Sequence, residues 1–275
     1  VRRAARLLGE SGVDAFSLVE NSLAQVRMSP FPLAHLLQEE FGIAAVVHCT
    51  CRDRNLMGQQ STLTGAAAQG IRTVLALTGD PSTIGDSSDS TSVYDTNSLG
   101  LIDLIANLNR GVNVAGNRIS GSGDFVIGCA FNPNVRRMEP EIKRLERKVA
   151  RGARFAMTQP VFDPGLIEQM YEMTAHVGIP IFLGVMPLTT YRNASFLHNE
   201  VPGIRISQEI LDRMREAHED DAAGTGMEVA KELLDAAAAV APGFYIIPQL
   251  EKYEVAAKLV RHIKRSETSP VPGRA

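Results

Sequence analysis

The sequence predicts an α/β fold, a (β/α)8 barrel whose first strand is missing from the chain as given. Short apolar runs alternate with helical patterns, and such alternation favours a parallel sheet covered by helices. The length of 275 residues, 44% of them hydrophobic, suits a single barrel of this kind. The chain opens inside a helical pattern, Val1 to Leu8, whose apolar face requires a strand before it. We therefore expect eight strands, of which the sequence contains seven.

The predicted strands are seven apolar runs, whose nearly continuous hydrophobicity is typical of strands buried on both faces. In order, they are Val13 to Val19, Ile43 to Cys51, Ile71 to Thr78, Phe125 to Asn132, Arg154 to Gln159, Ile179 to Leu188 and Phe244 to Gln249.

The predicted helices lie between and after these runs, and several of them end at a glycine that can adopt a left-handed cap. The helical patterns are Leu33 to Glu40, Leu56 to Gln69, Ser98 to Asn109, Glu139 to Arg151, Pro164 to Val177, Gln208 to His218, Met227 to Val240 and Glu251 to Lys264. The capping glycines are Gly42, Gly70, Gly111, Gly152 and Gly178.

Two segments interrupt the strand and helix alternation. Pro81 to Thr96 is a long polar loop, and loops of that length in compact domains are usually lids or binding loops. Thr189 to Pro242 is an insertion that carries two helical patterns. We expect a single (β/α)8 barrel domain over residues 1–264, followed by a flexible tail over residues 265–275.

Composition and charge point to a small-molecule partner. Lys and Arg number 28 against 31 Asp and Glu, and the formal charge of −3 without a basic stripe argues against nucleic acid or an acidic membrane. No apolar run reaches the roughly 18 residues that span a bilayer, and the N-terminus lacks the apolar segment of a signal peptide. The sequence therefore predicts a cytoplasmic protein. The three cysteines, Cys49, Cys51 and Cys129, are expected as buried thiols, with a Cys49 and Cys51 metal or redox pair as the minor alternative.

The candidate functional residues are the polar ones at the predicted strand ends, because active sites of such barrels gather there. Each has a structural alternative. His48 could be a core histidine, Asp80 could cap its loop through an Asx turn, and Gln159 could tie neighbouring strands. Arg147 and Lys148, adjacent on one helix, suit a diphosphate or else form a solvated helix face.

Common nucleotide and hydrolase motifs are missing from the sequence. Gly121-Ser122-Gly123 precedes a strand and lacks the third glycine of a dinucleotide fingerprint. P-loop, HExxH, GxSxG and EF-hand patterns do not occur. A bound nucleotide would have to be held by other means.

Four separated motifs stand in order along the sequence. They are His48-Cys49-Thr50-Cys51-Arg52-Asp53, Gly70-Ile71-Arg72-Thr73-Val74-Leu75-Ala76-Leu77-Thr78-Gly79-Asp80-Pro81, Lys148-Val149-Ala150-Arg151-Gly152-Ala153 and Thr158-Gln159-Pro160-Val161-Phe162-Asp163. Together they resemble methylenetetrahydrofolate reductase, and the match runs from about Val13 to about Lys258. The sequence is most similar to the reductase half of bifunctional homocysteine S-methyltransferase/methylenetetrahydrofolate reductases.

The resemblance implies an enzyme of one-carbon metabolism that passes hydride from NAD(P)H to FAD and then to 5,10-methylenetetrahydrofolate, with ping-pong kinetics. Asp80 would be the catalytic carboxylate beside the flavin and the pterin, and Gln159 would bind the pterin edge. Lys252 would meet the benzoyl-glutamate end of the folate. The cofactor-binding positions would be His48, Thr78, Gly79, Asp80, Tyr94, Arg147 and Lys148.

The chain also departs from the family pattern. The family's glutamate on the first strand, which helps to protonate the folate, has no counterpart because that strand is missing. Thr78 stands where many relatives have arginine, Arg144 stands where others have asparagine, and the Ala130 to Pro133 segment is shorter than its histidine-bearing equivalent. These differences weaken the transferable flavin contacts.

Three alternatives to the complete flavin enzyme stay open. One is a folate- or flavin-binding barrel that needs a partner or an N-terminal module for turnover, and another is a flavin-independent variant of the same reductase. The third is a barrel methyltransferase domain that acts on a pterin. A homo-oligomer and a fusion to a homocysteine methyltransferase module are both compatible with the sequence.

Overall fold

The computed structural model describes residues 1–201, 203–217, 221–249 and 252–268. Seven strands follow one another in the sheet in chain order, and the protein has the parallel strand and helix alternation of a (β/α)8 barrel with one strand fewer. The strands are β1 (Ala15–Leu18), β2 (Ala44–Thr50), β3 (Thr73–Leu77), β4 (Val126–Phe131), β5 (Phe155–Pro160), β6 (Ile181–Val185) and β7 (Phe244–Ile246).

Ten α-helices lie in the described ranges, and each strand from β1 to β7 is followed by at least one of them. They are α1 (Arg2–Glu10), α2 (Pro30–Phe41), α3 (Leu56–Ala68), α4 (Ser98–Asn109), α5 (Glu139–Ala150), α6 (Pro164–Thr174), α7 (Tyr191–Glu200), α8 (Gln208–Glu216), α9 (Ala222–Ala237) and α10 (Tyr253–Thr268).

All seven predicted strands are confirmed, each within a few residues of the apolar run that predicted it. The five glycines predicted to end helical segments all have positive φ, as a left-handed cap requires. The β1–β2, β2–β3, β3–β4 and β6–β7 pairs are parallel. This parallel pairing places the carboxyl ends of β1, β2 and β3 along one edge of the sheet.

Contacts group the chain into two compact units. The first, called here the N-terminal unit, comprises Asp14–Ala130 and Lys143–Ala156. It contains β1 to β3, and its core is built around α4, which buries five aliphatic side chains and packs against α3 and β3. The C-terminal unit comprises Val1–Val13, Phe131–Ile142 and the described residues from Met157 onward. Its central helix is α9, which packs against α6, α8, α10 and β6.

The insertion contains three helices where the sequence predicted two. The unpredicted helix is α7, which Thr190 caps by accepting the Asn193 N–H at 3.0 Å. Polar residues occupy much of its length, so the apolar repeat that marks the other helices is weak there. The α9 helix also begins at Ala222, five residues before the predicted start.

The end of the chain is partly outside the described residues. Residues 265–268 continue α10 beyond the predicted helical pattern, and residues 269–275 are not described, so the flexible tail stays a prediction. The predicted helical pattern stops at Lys264 because the residues that follow it, Arg265-Ser266-Glu267-Thr268-Ser269-Pro270, carry no strongly apolar side chain. The single barrel domain over residues 1–264 stays a prediction. Among the described helices, none is long and apolar enough to cross a membrane.

Candidate functional site

Three loops at the carboxyl ends of β1, β2 and β3 meet within the N-terminal unit. They cover residues 19–29, 51–55 and 78–97, and hydrogen bonds join each of them to the other two. The β2 strand shows which side chains face away from the helices. Cys49 contacts Gln59 of α3 at 3.2 Å, so His48 and Thr50, which alternate with Cys49, point to the opposite face.

Asp80 is partly exposed and is held at two points. Its carboxylate Oδ2 accepts the Leu23 N–H at 2.9 Å, and its main-chain oxygen accepts Arg52 Nη1 at 2.9 Å. No described residue donates a hydrogen bond to Oδ1. Asp80 is therefore not the cap of its own loop, which was the structural alternative, since its side chain bonds to a loop 57 residues away in sequence.

The loop that meets the Asp80 carboxylate has an unusual backbone. Asn21, Leu23 and Ala24 all have φ between 42° and 54°, a region that non-glycine residues seldom occupy. The turn is possible here because surrounding contacts fix it. Arg52 Nη2 binds the Asn21 oxygen at 3.2 Å, and the backbone of Ala24 packs directly against Gly85. The strained turn points the Leu23 amide at Asp80.

The residues around Asp80 are also fixed. Gly79 has a φ of +89°, and a Cβ at this position would lie 3.0 Å from Cβ of Thr50, so the chain needs glycine here. Tyr94 donates its hydroxyl to the Gly79 oxygen at 3.1 Å, and burial raises the pKa of the phenol. Thr78 is exposed, and its Oγ1 accepts the Ser98 N–H that opens α4 at 3.2 Å. The predicted residues Thr78, Gly79, Asp80 and Tyr94 thus lie together.

A buried ion pair lies beneath these loops. Glu20, only 5% exposed, accepts hydrogen bonds from the Thr50 N–H at 2.7 Å, from the Thr50 hydroxyl at 3.1 Å and from Arg54 Nη2 at 2.7 Å. Arg54 in turn stacks over the Phe31 ring at 5.4 Å. Glu20 directly follows the first apolar run of the sequence, and that position alone gives no sign of its partner. The alternation of charges in Arg52-Asp53-Arg54, directly after an apolar strand, was the available signal.

We expect Glu20→Gln to lower the free energy of unfolding by about 3 kcal/mol or more, because it leaves the Arg54 guanidinium without its carboxylate in a mostly buried site. Urea unfolding at neutral pH measures the change. Asp103→Asn is the matched control, since its partner Arg151 and Asp103 are each 44% exposed. That exposed pair should contribute less than about 1 kcal/mol. Equal losses in the two variants would contradict the assignment of Glu20 as a structural anchor.

His48 lies on β2 with its Nε2 2.9 Å from the Ser17 hydroxyl of β1. Burial lowers the pKa of its imidazole from 6.5 to about 4, so the folded protein holds this ring neutral at physiological pH. A neutral imidazole can exchange hydrogen bonds with the polar edge of a ligand without adding charge. The contact with Ser17 also fits the alternative that His48 is a core histidine with its own hydrogen-bond partner. The cofactor role of His48 therefore stays a prediction.

The lowered pKa of His48 predicts a pH effect on stability. Below pH 6.5 the unfolded chain binds a proton at this residue more readily than the folded chain does, so stability should fall as the pH drops from 6.5 towards 4. His48→Gln should flatten that part of the profile, because glutamine keeps a polar contact with Ser17 and does not titrate. Unfolding midpoints measured at half-unit pH steps test this. An unchanged profile in the variant would exclude His48 as the source.

Arg147 and Lys148 point in different directions, because successive helical residues are about 100° apart. Lys148 is 7% exposed and its Nζ donates to the main-chain oxygen of Ala130 on β4 at 2.6 Å. Arg147, on the same helix α5, is exposed. The two cations therefore do not form the side-by-side pair that the sequence suggested, and of these two it is Arg147 that presents its charge to solvent.

The remaining predicted residues lie in the C-terminal unit. Gln159 is the exposed position of β5, whose other five residues are buried. Lys252 is exposed and donates its main-chain N–H to the Gln249 oxygen just before α10 begins. The roles of both residues in folate binding stay predictions.

The three cysteines are buried free thiols, as predicted. Cys51 donates to the Leu77 oxygen at 3.3 Å, and burial raises the pKa of Cys51 to about 12 and that of Cys129 to about 11. These thiols are protonated at physiological pH and are poor nucleophiles. Within the described ranges, no group of three or more potential ligands has the arrangement of a metal site.

These features define an α/β barrel protein with a polar site built from strand-end loops around the Asp80 carboxylate. The chain belongs to the methylenetetrahydrofolate reductase family, whose model matches residues 4–264. This confirms the resemblance carried by the four motifs, and a fusion to a methyltransferase module stays a prediction.

The curated relatives are longer than this chain. A probable methylenetetrahydrofolate reductase (NADPH) of Caenorhabditis elegans is 30% identical over 206 residues, which is 70% of this chain and 29% of the relative. A 5,10-methylenetetrahydrofolate reductase of Salmonella typhimurium is 25% identical over 164 residues, or 58% of this chain and 49% of the relative. The chain thus matches between 29% and 49% of the length of these two relatives.

The solved structures support the fold. An uncharacterized protein from Clostridium thermocellum that binds two copies of 5-methyl-5,6,7,8-tetrahydrofolic acid has a TM-score of 0.67 and 11% identity, covering 96% of this chain and 87% of that one. EDTA monooxygenase from Chelativorans has a TM-score of 0.59 and 10% identity, covering 98% and 87%. At such identities the likeness establishes the fold alone.

Proposed function

We propose that this protein reduces 5,10-methylenetetrahydrofolate to 5-methyltetrahydrofolate, with NAD(P)H as the hydride source and FAD as a bound carrier. The observation that carries the proposal is Asp80, a carboxylate at the end of β3 with one oxygen held by the Leu23 amide. The match to the reductase family over residues 4–264 supports it. A neighbour of the same fold that binds methyltetrahydrofolate is consistent with a folate ligand.

The residues around Asp80 suit a flavin by the chemistry of their donors. Thr78 offers a hydroxyl and Tyr94 offers a phenol that stays protonated, and Gly79 between them offers main-chain groups. When bound, FAD would accept hydride from the nicotinamide and supply it to the folate. Arg147 would face the diphosphate, since Lys148 already donates to Ala130.

Asp80 would act on the folate by electrostatics. Opening the five-membered ring of the substrate breaks a carbon–nitrogen bond, and uptake of a proton by the departing nitrogen leaves a cationic iminium. A fixed carboxylate near that cation lowers the energy of its formation. The Leu23 amide holds Oδ2, so Oδ1 can face the pterin without a change in the side chain. Gln159 would donate and accept at the pterin edge, and Lys252 would pair with the glutamate end.

Turnover by the purified protein is the direct test. The protein is loaded with FAD and mixed without oxygen with NADH or NADPH and methylenetetrahydrofolate, and the methylated product is quantified by chromatography. We expect product with at least one nicotinamide and parallel lines in double-reciprocal plots, as a shared flavin requires. Absence of product with either nicotinamide, in protein that has bound FAD, would contradict the proposal.

A flavin-independent variant of the same reductase is the second candidate. The observation that favours it is the bond between Lys148 and Ala130, which withdraws one of the two cations expected at the diphosphate. Turnover without FAD, unaffected by added FAD, would establish it.

We also propose a cytoplasmic location, and either a homo-oligomer or a fusion to a homocysteine methyltransferase module is compatible with the proposed reaction.

Arg147→Ala tests the diphosphate contact. We expect FAD to dissociate about tenfold more readily from the variant, because one charge-assisted hydrogen bond to phosphate is lost. Arg147 is preferred to Lys148 for this purpose, since truncating the buried lysine would also disturb the core. Lys258→Ala, an exposed lysine on α10, is the control. Retention of FAD equal to that of the control after dilution would assign Arg147 to the solvated helix face.

A further inference from the structure

Arg52 is a buried cation, 3% exposed, at the point where the three strand-end loops meet. Its Nη1 donates to the Asp80 main-chain oxygen at 2.9 Å, and its Nη2 donates to the Asn21 oxygen at 3.2 Å. Asp53 neutralises the guanidinium through contacts of 2.6 and 2.8 Å, and Asn21 Nδ2 also binds Asp53 at 3.1 Å. One side chain thus joins the loop of Asp80 to the loop that supplies the Leu23 amide.

The main chain at Cys51 and Arg52 also binds the far end of the loop that carries Asp80. The Arg52 carbonyl oxygen accepts the Val93 N–H at 2.8 Å, and the Cys51 oxygen accepts the Tyr94 N–H at 3.2 Å. The segment from Asp80 to Tyr94 therefore begins and ends against the residues that follow β2. A shift of Arg52 would move both the Asp80 main chain and the turn that orients its carboxylate.

We propose that Arg52 is a positioning residue for Asp80, which sets the direction of the carboxylate by fixing the Asp80 main chain and the Asn21 to Ala24 turn together. The expected effect of Arg52 on folate reduction rests on the proposed function, whereas its effect on the position of the loops rests on the hydrogen bonds alone. Lysine cannot replace arginine in this role, because a single ammonium lacks the planar fork that reaches Asp80, Asn21 and Asp53 at once.

Arg54 is a matched comparison for Arg52. Both arginines follow β2, and each forms an ion pair with a carboxylate. The Arg54 side chain binds Glu20 and Cys49, however, and within the described part of the chain it makes no hydrogen bond to Asp80 or to the Asn21 turn. A general loss of stability should follow from replacing either arginine, whereas a loss of Asp80 orientation should follow only from replacing Arg52.

Amide hydrogen exchange on the protein without added ligand gives the first test. In Arg52→Lys, we expect the Leu23 amide to exchange about tenfold faster than in the wild type, because its bond to Asp80 is no longer held. In Arg54→Lys, the Leu23 amide should keep its wild-type rate, and the Thr50 amide, which binds Glu20, should exchange faster. An unchanged Leu23 rate in folded Arg52→Lys would overturn the proposal. Asp53→Asn, which removes the partner of the guanidinium at a partly exposed position, gives the same test if Arg52→Lys does not fold.

Rapid-reaction kinetics give the second test. We expect Arg52→Lys to slow the oxidation of reduced flavin by methylenetetrahydrofolate about tenfold, with flavin reduction by the nicotinamide within about twofold of wild type. In an Asp80→Asn background the same substitution should have little further effect, since the carboxylate it positions is gone. If the double variant is slowed by the product of the two single effects, the proposal is overturned. Failure of the wild type to turn over would contradict the proposed function alone, because the Leu23 exchange rate still decides the role of Arg52.

Discussion

Replacing Asp80 with asparagine is expected to slow reduction of methylenetetrahydrofolate by about 100-fold or more, while flavin reduction by NAD(P)H stays close to wild type. Asparagine has the shape of aspartate, and its oxygen can still accept the Leu23 N–H, so the loop should keep its conformation. What the variant loses is the negative charge that would stabilise the folate iminium. The difference between the two half-reactions is therefore the informative quantity.

Anaerobic stopped-flow absorbance near the flavin band measures the two half-reactions separately. Asp86→Asn is a suitable control, because Asp86 lies on the same loop as Asp80 and also binds a main-chain amide of the facing loop, that of Val26 at 3.1 Å. We expect the control to retain both rates within about threefold, as for a surface change. Equal slowing of the two half-reactions by Asp80→Asn would contradict the role of Asp80 in stabilising the folate iminium.

Gly85→Ala is expected to have the second large effect. A Cβ at this position would lie 1.9 Å from the main-chain oxygen of Ala24, so the turn that carries the Leu23 amide has to move. We expect a loss of about 1 to 3 kcal/mol in unfolding free energy, which is typical of overpacking. We also expect slower folate reduction, because the displaced turn no longer orients Asp80.

Gly65→Ala is the control for this substitution. Gly65 lies inside α3, and an added Cβ there meets no atom within 4 Å. Alanine is the better helix former by about 1 kcal/mol, so this variant should be more stable than wild type and equally active. Thermal unfolding and the folate half-reaction measured on both variants test the contrast. Wild-type stability in Gly85→Ala would show that the turn is not held by this close contact.

Much of the fold follows from the sequence because its signals are local. A run such as Ile71 to Thr78, bounded by Gly70 and Gly79, indicates a buried strand whatever lies elsewhere in the chain. The α7 helix was missed because its sequence, from Tyr191 to Glu200, holds polar residues where an apolar repeat is expected. Its cap at Thr190 was the remaining signal.

The sequence predicts which residues form the candidate site, but it does not predict the hydrogen bonds between them. Asp80 directly follows Gly79, so their proximity is expected from chain order, whereas the Tyr94 hydroxyl reaches Gly79 from 15 residues away. The bond from Leu23 to Asp80 depends on a left-handed turn at three non-glycine residues, which propensity argues against. Lys148 shows the same limit, since adjacency in sequence suggested a pair and helix geometry separates it from Arg147.

Hydrogen bonds within the loop after β3 hold its inner part, on both sides of residues 87–89. Ser82 binds Ser90 at 2.7 Å and Ser92 at 2.9 Å, inside the ends that Arg52 holds. Residues 87–89, beyond these fastenings, can therefore gain or lose length without pulling on the residues near the sheet. Related proteins could diversify this outer part during evolution, and an engineer could graft a peptide or reporter there, while the inner part of the loop keeps its geometry.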